Sequence, residues 1–241
     1  MKPGKKILLI FSVVIYSCGV ILGMAITGLT MWGDLEASLY DSFISYEGRQ
    51  RLSCPVMISS SETGTVSTTT KNPSDKTIKS RVVLRTTEGF ISMMREERDF
   101  RDLAPGESYD LEWMVSPEDA VYGGLLILVK VRTDLTYPLT DRQASCGIIV
   151  VNSQGFSGVQ IFVIAVVASL AFMALGITIW GVKNQPLIGK PNKVFRPMLA
   201  LAIVIFIGML SGLFGWWVVG AVIFIVGILL IGAIIAYFIN L

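Results

Sequence analysis

The chain contains no histidine. That absence removes Ser-His-Asp and Cys-His nucleophile systems, His-ligated zinc and histidine proton relays together. Charge is scarce too: 16% of the 241 residues are Asp, Glu, Lys or Arg against 53% hydrophobic, proportions that exclude a purely soluble chain. Acids are missing outside residues 33–156, which hold all eighteen Asp and Glu with thirteen Lys and Arg, net −5, while the remainder carries +7. A nucleic-acid binder would concentrate basic charge on a soluble face, and this chain does the reverse. Walker loops, dinucleotide fingerprints and Gly-x-Ser-x-Gly elbows are missing as well, so the sequence gives no reason to expect a cofactor or an enzyme. Asn72-Pro73-Ser74 has proline in the forbidden middle position of a glycosylation acceptor.

What is present is long apolar runs. Residues 7–32 form about 39 Å of helix, enough to span a bilayer, behind a basic leader (1–6) with Lys2, Lys5 and Lys6. The competing reading is a cleaved signal peptide with its apolar core at 7–15, followed by a lipobox-like Ile15-Tyr16-Ser17-Cys18. The apolar run continues well past Cys18, which favours a retained anchor with Cys18 as inert packing. A second span is expected at 157–182. Residues 197–241 are too long for one crossing and suit two, at 197–213 and 216–239, with the break at Ser211-Gly212-Leu213-Phe214-Gly215.

Orientation follows from the loops. The leader and the loop 183–196, with Lys183, Lys190, Lys193 and Arg196 and no acid, should both be cytoplasmic. Residues 33–156 then lie outside and both termini inside, in a multi-pass plasma-membrane protein. Trp32, Trp216 and Trp217 would anchor the outer interface, Trp180 and Tyr237 the inner one. The spans hold no Asp, Glu, Lys or Arg, whereas pumps and ion-coupled transporters need ionisable groups on their path. Gln160, Ser169, Thr178, Ser211 and Asn240 are poor material for a channel. Gly19 and Gly23, and Gly208 and Gly212, stand four apart and are candidates for close helix packing, within the chain or with another.

The outer part has the texture of an all-β domain. Leu35, Leu39 and Phe43 continue the first helix for a few turns before Gly48 stops it. Strands are expected at 52–59, 64–71, 78–87, 109–115, 125–132 and 147–151, with a short one at 89–93, joined by turn chemistry such as Asn72-Pro73, Pro105-Gly106, Ser116-Pro117 and Tyr137-Pro138. That spacing favours an antiparallel two-sheet sandwich. The order of Gly-Thr-Val-Ser-Thr-Thr-Thr-Lys-Asn-Pro-Ser-Asp (64–75), residues 78–84, Leu-Ala-Pro-Gly-Glu-Ser (103–108) and Leu-Glu-Trp-Met-Val (111–115) resembles bacterial immunoglobulin-like modules related to cell-adhesion domains. The resemblance covers about 70 residues and implies a surface module working in adhesion or protein contact. It departs from the antibody pattern, because Cys54 and Cys146 flank the domain without bracketing a central Trp. The expected fold class is therefore α+β, four transmembrane helices with an extracytoplasmic immunoglobulin-like sandwich between the first and second.

Cys54 and Cys146 are the only cysteines of the outer part and should pair in an oxidising compartment. The stretch Arg95-Glu96-Glu97-Arg98-Asp99-Phe100-Arg101-Asp102 alternates in sign and is neutral, so a solvated loop or edge outranks a binding patch. Glu118–Asp119 lacks the ligand spacing of a calcium loop, and Glu62, Asp110 and Glu112 form a glycosidase pair only if the fold brings them together. The function that suits this pattern is accessory: a scaffold or subunit in the lipid bilayer that holds other membrane proteins. A receptor or adhesin is the alternative and calls for an apolar patch far from the membrane. A channel component comes third.

Overall fold

A computed structural model describes residues 3–40, 48–136, 139–186 and 189–239. Phe43, the Tyr137-Pro138 turn and Asn240 lie outside them, as does the side chain of Tyr237. The described elements are α1 (Pro3–Leu39), nine strands, and α2 (Gly158–Lys183), α3 (Lys190–Leu213) and α4 (Trp217–Ile239). All four helices are long and apolar enough to cross a membrane. The chain divides into two compact units, one made of Met1–Met31 with Phe162–Leu241, the other of Trp32–Ile161.

In the helical unit the glycines mark where backbones approach. A Cβ on Gly19 would lie 2.7 Å from the Ser169 carbonyl oxygen of α2, and one on Gly23 would lie 2.4 Å from Ile205 of α3. Gly208 of α3 abuts Thr27 of α1 and Ile223 of α4, and Gly212 abuts Thr30. Both glycine pairs are therefore spent inside this chain. Hydrogen bonds tie the same faces: Ser12 Oγ donates to the Gly176 carbonyl (2.7 Å), Tyr16 OH to that of Met198 (2.7 Å) and Ser169 Oγ to that of Gly19 (2.8 Å). In an apolar medium such donors need partners, and close helix approach supplies them.

The third helix starts at Lys190, seven residues earlier than hydropathy indicates, so most of the expected 183–196 loop is helical. Pro191 sits in the first turn, where its missing N–H costs nothing, and the helix continues through Pro197. The turn between α3 and α4 falls at the expected glycines: Gly215 adopts φ 63°, and the Trp216 N–H returns to the Ser211 carbonyl (3.0 Å).

The β unit holds β1 (Gly48–Arg49), β2 (Leu52–Ser53), β3 (Met57–Ser59), β4 (Gly64–Lys71), β5 (Ile78–Glu88), β6 (Phe90–Leu103), β7 (Ser108–Val115), β8 (Leu126–Leu135) and β9 (Arg142–Val151). One sheet runs β1-β9-β8-β5-β6 with β3 also on β9, and the other runs β2-β4-β7. Val66, Trp113 and Val115 of the small sheet and Val82, Leu84, Ile127, Val129 and Ile148 of the large one share one buried core. On the opposite face of the large sheet, Gly33 of α1 packs against Gly147 and Leu126.

Three expectations need correction. The single strand at 52–59 is broken, because Pro55 lacks an N–H and the chain changes sheets there, β2 joining β4 and β3 joining β9. The large sheet is mixed, not antiparallel, since β1 and β3 both run parallel to β9. That pairing unites the two ends of the domain, so no hairpin forces opposite directions. Trp113 packs in the same core as Cys146, so the cysteines do bracket a central Trp.

Candidate functional site

Strand β6 is the most exposed element of the β unit. It is an edge: among the described residues it pairs with β5 alone, from Ile78↔Leu103 to Glu88↔Phe90. The charged stretch 95–102 lies in it, so the signs that read as a loop or edge belong to an edge strand. Exposed charges are a common device for blunting such an edge against uncontrolled pairing.

The charges are organised. Glu96 accepts from Arg98 and from Arg85 Nε (2.9 Å), and these cations, Arg98 foremost, hold its carboxyl below the usual range. Tyr109 of β7 donates to Asp99, and the Arg101 guanidinium lies 4.1 Å from the centre of its ring. Desolvation first, and the Asp99 carboxylate second, push the Tyr109 phenol above its ordinary value. Arg95 Nη1 donates to Asp119 Oδ1 (3.1 Å) and Arg95 Nη2 to the Met114 carbonyl (3.1 Å). The edges of both sheets are thus linked by side chains, and the outward row Glu96, Arg98, Phe100 and Asp102 stays exposed or half-exposed.

The Glu88-Gly89-Phe90 turn at the head of β6, with Gly89 at φ 70°, bears Phe90, Ile91, Met93 and Met94, all solvent-exposed. Sequence reasoning missed this patch, because an apolar run after a turn reads as a buried strand. The signal available was the abrupt change from apolar to charged residues at Arg95.

Other candidates are occupied or apart. Asp119 is buried and its carboxylate serves Arg95 and the Ser116 N–H (2.8 Å). Glu62 Oε1 accepts from the N–H groups of Ser59 (2.8 Å) and Gly158 (2.6 Å), Asp110 accepts from Thr69 (2.6 Å), and Glu112 is exposed on β7. The structure does not bring these three together as a glycosidase pair. A cleft of about 320 Å³ lined by Gln50, Arg51, Thr70, Lys71, Thr133 and Arg142 is basic, but its Gln50 amide is engaged with Thr68, Thr70 and Thr133.

Cys54 and Cys146 form a disulfide with Cα atoms 6.6 Å apart, where the chain passes from β2 of the small sheet to β3 of the large one. Trp32 stacks near Tyr122 (5.4 Å between centroids) and donates to Glu36 (3.1 Å). Trp216 is exposed and Trp217 half-buried. Trp180 is buried in the helical unit, with Nε1 directed at the Pro191 carbonyl (3.4 Å). Asp34, which no motif in the sequence singles out, is buried and accepts from the Gly147 N–H (3.1 Å).

No protein-family model matches the chain, and no curated protein matches it in sequence. Among solved structures, it is similar to the CARDB domain of a Pyrococcus furiosus protein crystallised with di-metal ions, at 11% identity and TM-score 0.34, over 45% of this chain and 93% of that one. It is also similar to a Listeria innocua β-glucosidase in complex with glucose (15%, TM-score 0.30, 46% of this chain and 17% of that one). Red sea bream transglutaminase gives 14% and TM-score 0.34, over 48% of this chain and 18% of that one. At those values the likenesses say nothing of what this chain does; its class rests on its own strands and helices, as an α+β chain with four apolar helices and a two-sheet unit.

Proposed function

We propose that the chain is a non-enzymatic integral membrane accessory protein, a subunit or scaffold whose β unit, an immunoglobulin-like module on the outer side, contacts partner proteins. The observation that carries this reading is β6: a fourteen-residue strand paired through Met94–Leu103 on one side, with its charges held in ladders and, among the described residues, its outer edge open. An ordered edge of that kind takes a complementary charged surface at little conformational cost.

The helices support a structural role. Ser12, Tyr16 and Ser169 bond across helices, while Thr27, Thr30, Thr178 and Ser211 donate to carbonyls of their own helices. Ser12, Tyr16 and Ser169 thus tie helices to one another, and the hydroxyls of the other four are engaged within their own helices, which supports a structural role. The basic leader and the Lys183–Arg196 region support a reading with both termini in the cytoplasm, and a Cys54–Cys146 disulfide suits an oxidising exterior. An adhesin would gather apolar surface far from the bilayer, whereas here only Phe100 is exposed along the charged part of β6.

Mild detergent extraction from native membranes, followed by native mass analysis with protein identification, tests the reading. Fixed-ratio partners that are lost when Arg98→Glu and Asp102→Lys reverse the edge charges are the expected result. A chain that emerges alone from wild-type membranes overturns it.

A further inference from the structure

The β5–β6 hairpin ends in an apolar tip whose place in the β unit is fixed by register. Thr87 pairs with Met94, and Thr87 Oγ1 accepts from the Leu128 N–H (3.1 Å). Leu128 pairs with Gly147, which packs on Gly33 and donates to Asp34. Met94, Thr87, Leu128, Gly147 and the Gly33–Asp34 turn of helix therefore form one row across the large sheet. Beyond that row, toward the tip, Ile58 pairs with Val150 and carries Gly158 against its backbone. The residues where the chain passes into its first two apolar helices, Trp32 and Val159, adjoin this end of the β unit.

The tip is built to protrude there. Between Thr87↔Met94 and Glu88↔Phe90 the register shifts, leaving Ile91, Ser92 and Met93 opposite no residue of β5. Phe90 is 66% exposed, Ile91 47%, Met93 56% and Met94 41%. Exposed Tyr122 and Phe156 belong to the same end, the first against Trp32 and the second two residues before α2. From Arg95 onward the strand is charged, and Phe100, equally exposed, stands about 20 Å further along it. Apolar and aromatic groups grouped at one level, with exposed Glu88 in the turn beside them and continuous charge from Arg95 onward, match the mixed polarity of a lipid interface.

We propose that the tip Phe90–Met94 inserts into the headgroup–acyl boundary of the bilayer, as a second attachment that fixes the tilt of the β unit and the height of its β6 edge. This rests on the membrane reading above. A soluble partner protein would be met by the charged edge, whereas four consecutive-zone apolar side chains without a charge suit hydrocarbon.

The test uses the full chain in liposomes, with Cys18→Ala removing the free thiol and the disulfide left intact. Nitroxide labels are placed singly through Ser92→Cys, Phe100→Cys and Leu229→Cys, and their collision rates with oxygen and with a water-soluble nickel chelate are compared. Position 92 should favour oxygen over nickel several-fold, as Leu229 on α4 does, and position 100 should show the reverse. Lipid-like values at 229 with aqueous values at 92 overturn the insertion and leave the membrane reading standing. Aqueous values at 229 overturn both. A label at 92 shielded from both probes shows a protein on the tip and overturns the lipid assignment.

Discussion

Replacing Gly147 by alanine tests the docking of α1 on the large sheet. A Cβ there would lie 2.2–2.6 Å from the Gly33 backbone, which unlike a side chain has no rotamer to yield. Reaching ordinary contact distance means moving the helix outward by about 1 Å or more, a distance that forfeits much of the packing against Leu126. Overpacking of this kind costs about 1–3 kcal/mol. The same shift stretches the bond from the Gly147 N–H to the buried Asp34 carboxylate, worth about 1–3 kcal/mol when a buried polar group loses its partner. The two share one displacement, so the expected total is about 2–5 kcal/mol. At a urea dependence of about 2 kcal/mol per molar, the unfolding midpoint of the β unit should fall by about 1–2.5 M, followed by near-ultraviolet circular dichroism of the full chain in detergent. Gly232→Ala, with nothing within 4 Å of the new methyl, is the control and should lose nothing. A Gly147→Ala midpoint within about 0.3 M of wild type would refute the packing argument.

Reducing the Cys54–Cys146 bond opens a loop spanning a sequence separation of 92, for which chain entropy gives about 4.6 kcal/mol. Both ends of the domain are already held by helices, so a loss of about 2–4 kcal/mol is expected on urea titration of the reduced chain, and an unchanged midpoint would show the bond idle. In the helical unit, Ser169→Ala should cost only about 0.5–1 kcal/mol, while Gly19→Leu, forced onto the Ser169 and Met173 backbone, should prevent normal packing; equal effects in a detergent unfolding assay would contradict the close approach. Tyr109 should titrate later than an ordinary tyrosine of 10.0, since the fold favours its protonated form. Its contribution is thus full below pH 10.0 and is lost as pH rises toward the folded value, seen as late phenolate absorbance that Tyr109→Phe abolishes; titration at the ordinary value would sink the argument.

The strands that read clearly in the sequence are those whose side chains alternate between core and water. β4 and β7 show it, with Val66 and Thr68 inward on one and Trp113 and Val115 on the other. β6 breaks the rule because neither face is buried, so its residues are chosen for charge pairing and not for alternation. The parallel pairing of β1 and β3 with β9 joins segments some 90 residues apart and leaves no local trace. At Lys190–Arg196 the limit is different: hydropathy marks the part of a helix that suits lipid, whereas the hydrogen-bonded helix extends as far as its first-turn proline allows.

The candidate surface divides along the same line between local and non-local information. Four-residue glycine spacing announced close packing, but only the fold shows that Gly19, Gly23, Gly208 and Gly212 are all consumed within the chain, leaving no glycine pair of these for a partner. On the scaffold reading proposed above, partner contact then falls to the β unit. There the two halves of β6 differ in kind, an apolar tip and a charged edge. A scaffold joined at both ends to apolar helices would gain nothing from reach and would need instead a fixed orientation at the bilayer. The tip and the edge lie on one continuous strand, so whatever fixes the first sets the height and angle at which the second meets a neighbour. A charge reversal in the edge should therefore remove partners without altering lipid contact at the tip, and Ile91→Asp with Met93→Asp should loosen both, as measured by partner yield and by oxygen collision at position 92. If the tip variant leaves partner yield unchanged, the two halves act independently and the coupling is refuted.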